Sequence, residues 1–273
     1  MNIYVIKYGG NAMTDAGIRE ELLAEVARLH NKGEKMVLVH GGGPEIKKLL
    51  SLGKVESEFI GGHRKTTAEA MYYVQLALRG EVNGSLVSQL NNQGVRAVGL
   101  SAKDGRMAEV KRRYHLAASA DGSRTETDLG QVGDIIRFDP ALVQALLGAN
   151  YLPVLSPVAQ GDDGLDYNIN ADAMAGAVAA ALRAKAYISL TDVDGLYENW
   201  PDPASRIDAI SLGELKKFCA TKASGGMLPK LESVIFALEN GAGEAHIING
   251  TKPAQFAARL QGGAASGTRI TLT

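Results

Sequence analysis

Two apolar runs close to the start of this chain each end in a cluster of glycines, and that pattern constrains the fold more than any other feature. Ile3 to Tyr8 leads into Gly9-Gly10-Asn11, and Met36 to Val39 leads into His40-Gly41-Gly42-Gly43-Pro44. A strand ending in glycine lets the backbone approach a ligand closely, because glycine takes positive φ and carries no side chain to block the way. The helix that follows aims its first N–H groups at an anion. One glycine pair after a strand is usually only a tight turn. Two of them, one preceded by Lys7 at the strand end, point to a polyphosphate ligand. Neither common nucleotide fingerprint applies: there is no GxxxxGK[ST], and no GxGxxG opens a helix after the first strand.

Apolar runs then alternate with helical patterns: strand 2–8, helix 17–31 with Ile18, Leu22, Val26 and Leu29 on one face, strand 35–40 and helix 44–51. A long helix is expected from Thr67 to Asn91, followed by a strand through Ala97 to Ser101. Such βα alternation predicts an α/β fold with a largely parallel sheet covered on both faces. Between Arg106 and Phe138, short alternating segments, Met107 to Val110 and Gln131 to Ile136, flank a polar stretch, Ala118 to Thr127, and read as hairpins projecting as a flap. The second half resumes with strands at Tyr151 to Leu155 and Leu165 to Ile169. A helix 171–184 follows, whose alanines and Gly176 allow tight packing. Strand 186–190, a loop at Trp200-Pro201-Asp202-Pro203, helix 229–240, strand 245–248, helix 253–260 and strand 269–272 complete the pattern. A lobe boundary is expected before Tyr151, giving lobes 1–150 and 151–273 that share one continuous sheet.

Charge excludes some partners. Lys plus Arg number 29 against 30 Asp plus Glu, so no strong field points to nucleic acid or a membrane surface, and an anion must be held locally. The longest uncharged helical stretch, Ala173 to Leu182, is too short to span a bilayer. A single cysteine, Cys219, suits a reducing compartment, and no basic leader precedes the first strand, so the expected location is cytoplasmic.

Several residues can carry chemistry. Lys7 lies beside Val5 and Ile6, where an ammonium is costly without an anion. Gly225-Gly226-Met227-Leu228-Pro229-Lys230 opens a helix with Pro229 suited to its first position, which puts Lys230 at the end of the dipole that disfavours a cation unless polyphosphate is bound. In Asn168-Ile169-Asn170-Ala171-Asp172, Asn170 is a good N-cap and Asp172 complements the dipole, yet Asn168 and Asn170 also share the strand end where ligands of parallel sheets bind. Arg64, after Gly61-Gly62-His63 at the start of the long helix, can grip a carboxylate with two parallel bonds. Asp192 and Asp194 could meet a metal or a ribose, although Asp194-Gly195 is also a common turn, while His63, Lys65, Lys111-Arg112-Arg113, His115 and His246 read as solvated or structural. No Gly-x-Ser-x-Gly, His-Glu-x-x-His or cysteine cluster supports serine hydrolase or zinc chemistry. Phosphoryl transfer runs mainly on positioning and charge, and a carboxylate acceptor is already ionised at neutral pH.

Six segments taken together resemble the amino acid kinase family, and within it the members acting on N-acetylglutamate. They are Lys7-Tyr8-Gly9-Gly10-Asn11-Ala12-Met13, His40-Gly41-Gly42-Gly43-Pro44, Gly99-Leu100-Ser101-Ala102-Lys103-Asp104-Gly105, Asp128-Leu129-Gly130-Gln131-Val132-Gly133, Asn168-Ile169-Asn170-Ala171-Asp172 and Gly225-Gly226-Met227 with Lys230. The resemblance runs in order over nearly the whole chain. It implies an open αβα sandwich, with an N-terminal lobe for a small amino-acid substrate and dimerisation and a C-terminal lobe for ATP. Lys7 and Lys230 would neutralise the transferring phosphoryl and Asp172 would orient them. Gly9, Gly10, Gly41 and Gly42 would meet phosphate oxygens, Asp192 and Gly226 would serve ATP, and Arg64 and Asn168 would hold acceptor carboxylates. The product would be an acyl phosphate in arginine biosynthesis, with Mg²⁺ accompanying ATP and no metal site built from protein alone.

His63 and Lys65 stand where the family usually has apolar residues, and Ala102 where it has glycine. The alternative is a relative acting on aminoadipate or glutamate attached to an acidic carrier protein, although Ala171 departs from that group's usual Asn-Ile-Asp/Asn-Gly-Asp. A silent amino-acid or nucleotide sensor is the remaining option, and the joint presence of Lys7, Asp172 and Lys230 speaks against it. Arginine-inhibited members carry an additional N-terminal helix, for which the start of the first strand leaves no room, so a homodimer insensitive to arginine is expected. The stripe Met71, Val74, Leu78 and Val82, with Tyr72 and Tyr73 beside it, would face either a symmetry mate or the core.

Overall fold

The computed structural model describes residues 2–118, 124–223, 225–260, 262 and 267–273. Its centre is an eight-stranded sheet in the order Ala209–Ser211, Thr268–Thr271, Glu244–Asn249, Ala186–Thr191, Ile3–Tyr8, Lys35–His40, Leu152–Ser156, Ala97–Ser101. Neighbours run parallel except Glu244–Asn249 against Thr268–Thr271. The continuous sheet expected across both halves is present, and Leu152–Ser156 lies between two strands drawn from the first half.

Side chains alternate between the two faces of a strand, and here both faces are covered, so all six residues of Ile3–Tyr8 are buried. Ile3 and Val5 join a core with Val37, Val39, Tyr187, Met174, Val178 and Val234. Tyr4, Ile6 and Tyr8 join the opposite core with Leu22, Leu23, Val26, Leu90 and Phe256. This is the αβα sandwich. The helix Ala171–Ala181 packs against Met227–Glu239 at Gly176, where a Cβ would stand 2.7 Å from the Ser233 carbonyl oxygen. The tight packing expected of its small residues follows from that approach.

A second sheet, Ala108–Ala118, Arg124–Phe138, Asp166–Ile169 and Val158–Gln160, projects from the first. The projecting hairpin expected of the middle segment is present, built from longer strands than the short segments suggested. The first two strands are 11 and 15 residues long, and register shifts at Glu109/Val110 and Arg112/Tyr114 break the two-residue period that would have revealed them. The polar stretch Ala118 to Thr127 lies partly on 119–123, outside the described residues.

Three further differences bear on the site. The expected long helix runs as Ala68–Gln75 and Gly84–Asn92 with a π-helical segment, Leu76–Asn83, between them. Its stripe is spent on the core: Met71, Val74, Leu78 and Val82 are buried, whereas Tyr72 and Leu76 are exposed. The last long helix begins at Met227 with Gly226 as N-cap, so Pro229 is its third residue rather than its first. A helix Leu212–Lys222, closed by a capping box between Ser211 and Glu214, was not anticipated. Among the described residues no helix is long and apolar enough to cross a membrane.

Candidate active site

Lys7 falls on the same strand face as Val5, beneath the start of Ala171–Ala181. Asn170 caps that helix, accepting from the N–H groups of Asp172 at 2.8 Å and Ala173 at 3.1 Å. The cap turns the Asp172 carboxylate back over the sheet. One oxygen lies 3.2 Å from Lys7 Nζ and the other 3.2 Å from Lys230 Nζ. Lys7 is 6% exposed and Asp172 8%. Burial pushes the Lys7 ammonium down to about 8, Asp172 opposes that shift, and Lys230 adds to it. Burial alone would raise the Asp172 carboxyl, but Lys7 and Lys230 hold it below the usual carboxylate range. Two cations around one anion leave a surplus positive charge in a dry place, a site that attracts an anion.

The glycine turns keep this charge accessible. A Cβ on Gly9 would stand 3.0 Å from Lys7 Nζ, so any side chain there would crowd the ammonium. Gly10 has φ +71°, and its Cβ would stand 2.7 Å from a carboxylate oxygen of Asp192, which follows the adjacent strand Ala186–Thr191. At the second turn, the Gly41 N–H donates to the Tyr8 carbonyl at 2.8 Å and ties the two turns together. That N–H is therefore engaged in the fold. Gly42 is the N-cap of the helix Gly43–Leu52, and a Cβ on it would meet Leu78 Cδ2 at 2.8 Å.

Arg64 is not at the start of the long helix, whose N-cap is Thr67. It lies in a ribbon, Phe59–Ile60 with His63–Arg64, joined by Gly61 and Gly62, both at positive φ as a two-residue turn of this hand requires. Its guanidinium donates to Ser57 Oγ and, at 3.4 Å, to the Gly43 carbonyl, and stacks 4.6 Å from the Phe59 ring centroid. The side chain thus reaches the second glycine turn. Asn168 Nδ2 donates to Thr66 Oγ1 at 3.4 Å, and Thr66 Oγ1 donates to the Arg64 carbonyl at 2.8 Å. Gly130 clamps the same segment: Thr66 N donates to the Leu129 carbonyl and Gln131 N to the Thr66 carbonyl, and a Cβ on Gly130 would stand 2.3 Å from that carbonyl oxygen. Asn170 acts as helix cap while Asn168 faces Thr66.

Beyond Asp192 lies a cavity of about 500 Å³ lined by Leu196, Tyr197, Trp200, Phe218, Lys222 and Met227. Sequence reasoning passed over it because Trp200 sits in an irregular loop and Phe218 on the helix it missed. An aromatic so close to the Asp194-Gly195 turn was the available signal. Asp194 is occupied by Lys252 and Asn249. His246 pairs with Glu244, and a Cβ on Gly61 would stand 2.3 Å from the His115 ring; the basic run pairs as Arg112–Asp128 and Arg113–Asp134.

The model of the amino acid kinase family matches residues 2–249. An acetylglutamate kinase of Salinispora tropica is 44% identical over 246 residues, covering 90% of this chain and 81% of that protein. One from Methanocaldococcus jannaschii is 40% identical, covering 92% and 84%. Among solved structures, a protein from Streptococcus mutans is 28% identical with a TM-score of 0.77 over 99% of both chains. Carbamate kinase from Giardia lamblia bound to AMP-PNP has a TM-score of 0.72 at 18% identity, covering 100% of this chain and 99% of that one, and shares the fold.

Proposed function

The chain belongs to the amino acid kinase family, and we propose that it phosphorylates the side-chain carboxylate of N-acetylglutamate with ATP, in arginine biosynthesis. The observation that carries this reading is Asp172 held between Lys7 and Lys230 at 3.2 Å from each. In phosphoryl transfer, charge gathers on the oxygens of the moving group, and preset cations stabilise it most where water is excluded. Lys7 and Lys230 would take those oxygens, and Asp172 would keep both ammonium groups in place and Lys7 charged. The acceptor carboxylate needs no general base.

The 1–150 lobe would hold the acceptor, with Arg64 at the mouth of the Gly42 turn and Asn168 supplied from beyond it; the 151–273 lobe would hold ATP. Gly9, Gly10 and Gly226 leave room for phosphates, and the aromatic cavity beyond Asp192 fits a base. Among the described residues no three metal-ligating side chains cluster. Mg²⁺ is usually held by phosphates, water and one or two carboxylates, and Asp192 against Gly10 is suited to that part. Such an ion would offset phosphate charge. The carrier-linked alternative is disfavoured because Lys65 is paired with Glu58 and Arg113 with Asp134. The exposure of Tyr72 and Leu76 beside each other on the long helix supports a homodimer, for which light scattering should give about twice the 28.8 kDa chain mass; a single-chain mass or a hexamer would refute it.

ADP release measured with N-acetylglutamate, glutamate, α-aminoadipate, carbamate and UMP, and with the carrier-linked substrate, tests the reaction. N-acetylglutamate should give the highest kcat/KM. Preference for any other acceptor would overturn the assignment.

A further inference from the structure

The π-helical segment Leu76–Asn83 forms the back of the second glycine turn and ends in a buried polar relay. Asn83 Nδ2 lies 3.0 Å from His40 Nε2 and 2.9 Å from the Val154 carbonyl, while His40 Nδ1 lies 2.7 Å from the Gly41 carbonyl. His40 is fully buried and Asn83 4% exposed, so every polar atom here depends on protein partners. The geometry admits one proton arrangement. A carbonyl can only accept, so the Asn83 NH₂ spends one hydrogen on Val154 and offers the other to His40 Nε2. A bare Nε2 leaves the imidazole proton on Nδ1, where it donates to Gly41. Gly99 opposite makes room: a Cβ there would stand 2.0 Å from Asn83 Oδ1.

We propose that Asn83 is a positioning residue for the acceptor site: by donating to His40 Nε2 it holds the Nδ1–H ring against the Gly41 carbonyl and so keeps the Gly41–Gly42 turn against Tyr8 and Arg64. The inference rests on placing the acceptor at that turn. The relay stays neutral at working pH, because burial pushes the His40 imidazole down to about 4. The π turn is part of the device. Arg79, one such turn earlier on the same segment, donates to Ser101 Oγ at 2.8 Å and pairs with Asp104, anchoring the segment to the sheet on the other side. An inserted residue in a helix register often marks a functional position. Here it brings Leu78 and Val82 onto Gly42 and Asn83 onto His40 together.

The test reads the tautomer and the kinetics separately. Long-range ¹H–¹⁵N spectra of ¹⁵N-histidine-labelled protein without substrate should show His40 protonated at Nδ1 and bare at Nε2. A proton on Nε2 in the unsubstituted protein overturns the proposal, whether or not any variant folds. Asn83→Leu, which removes the donor at similar volume, leaves Nε2 without a partner while Nδ1–H stays on Gly41, so it should change the His40 ring ¹⁵N shifts without moving the proton and lower kcat/KM on the order of 10²-fold, chiefly through KM for the acceptor. Gly99→Ala, which displaces Asn83 without touching His40, should do the same. Unchanged His40 ring ¹⁵N shifts in both variants, or changed shifts with unchanged acceptor KM, refute the positioning role. Should N-acetylglutamate prove not to be phosphorylated, the proposed reaction falls, and the same comparison is made with whichever acceptor releases ADP.

Discussion

Replacing Asp172 by Asn removes one charge and almost no volume, and its effect can be worked out from the groups around it. Lys7 already sits at about 8, against an ordinary 10.5, with Asp172 the main influence raising it. In Asp172→Asn only burial and Lys230 remain among the major influences, and both lower it. Lys7 is then pushed further below about 8, so the fraction charged at pH 7 falls from roughly nine-tenths. The cation that would meet the phosphoryl is then missing most of the time, and the other ammonium has lost its guide. The expected loss in kcat at pH 8 is about 10²-fold or more. The loss should shrink at pH 6, where Lys7 regains its proton.

Stability gives an independent reading of the same charge. A lysine whose folded pKa lies below its unfolded value binds fewer protons folded than unfolded between those two values. Stability therefore rises with pH through that window, which for the unsubstituted protein spans about 8 to 10.5. Below it the full cost of the buried cation is present. In Asp172→Asn the window opens lower, so the melting temperature should fall clearly at pH 6 and much less at pH 9. Breaking a buried pair costs about 3–5 kcal/mol, and loss of the Lys7 proton relieves part of it. ADP release and calorimetry from pH 5.5 to 9.5 supply both curves. An alkaline limb of kcat/KM in the variant that coincides with the original would refute the reasoning.

Arg64→Lys keeps the charge but loses the fork, so KM for the acceptor should rise far more than KM for ATP in steady-state assays; equal effects would remove Arg64 from the acceptor site. Lys230→Ala should lower kcat by about 10² with little change in melting temperature, because this lysine is less buried than Lys7 and Asp172 keeps its other partner. Gly176→Ala forces a methyl within 2.7 Å of the Ser233 carbonyl oxygen. It should cost about 1–3 kcal/mol in urea unfolding, and an unchanged midpoint would mean that the two helices separate freely.

The parts of the molecule legible in the sequence were those whose periods are local. Strands ending in glycine, the helix carrying Gly176 and the Asn170 cap all declare themselves within a few residues. Lys7 and Lys230 were singled out by costs that local position alone implies, a cation among apolar residues and a cation at the wrong end of a helix. That they share one aspartate is a fact of topology that no spacing reveals. Long-range geometry hid the rest. Bulges masked the two long strands, the π segment looks like an ordinary helix because its apolar stripe continues, and Leu212–Lys222 lacks a clear apolar face. The significance of Asn83 depends on Gly99 and His40, which come from two other strands.

The position of Ile3–Tyr8 inside the sheet has a consequence for how the protein is made. It pairs with Lys35–His40 on one side and with Ala186–Thr191 on the other. The first partner follows almost at once on the ribosome. The second arrives only after residue 191 has been added, roughly ten to forty seconds later at ordinary translation rates. Throughout that interval a mostly apolar strand edge carrying Lys7 is open to any other strand, a known route to aggregation. A cation at that edge would disfavour pairing with a stray strand, and the same residue becomes interior once the helix bearing Asp172 closes over it.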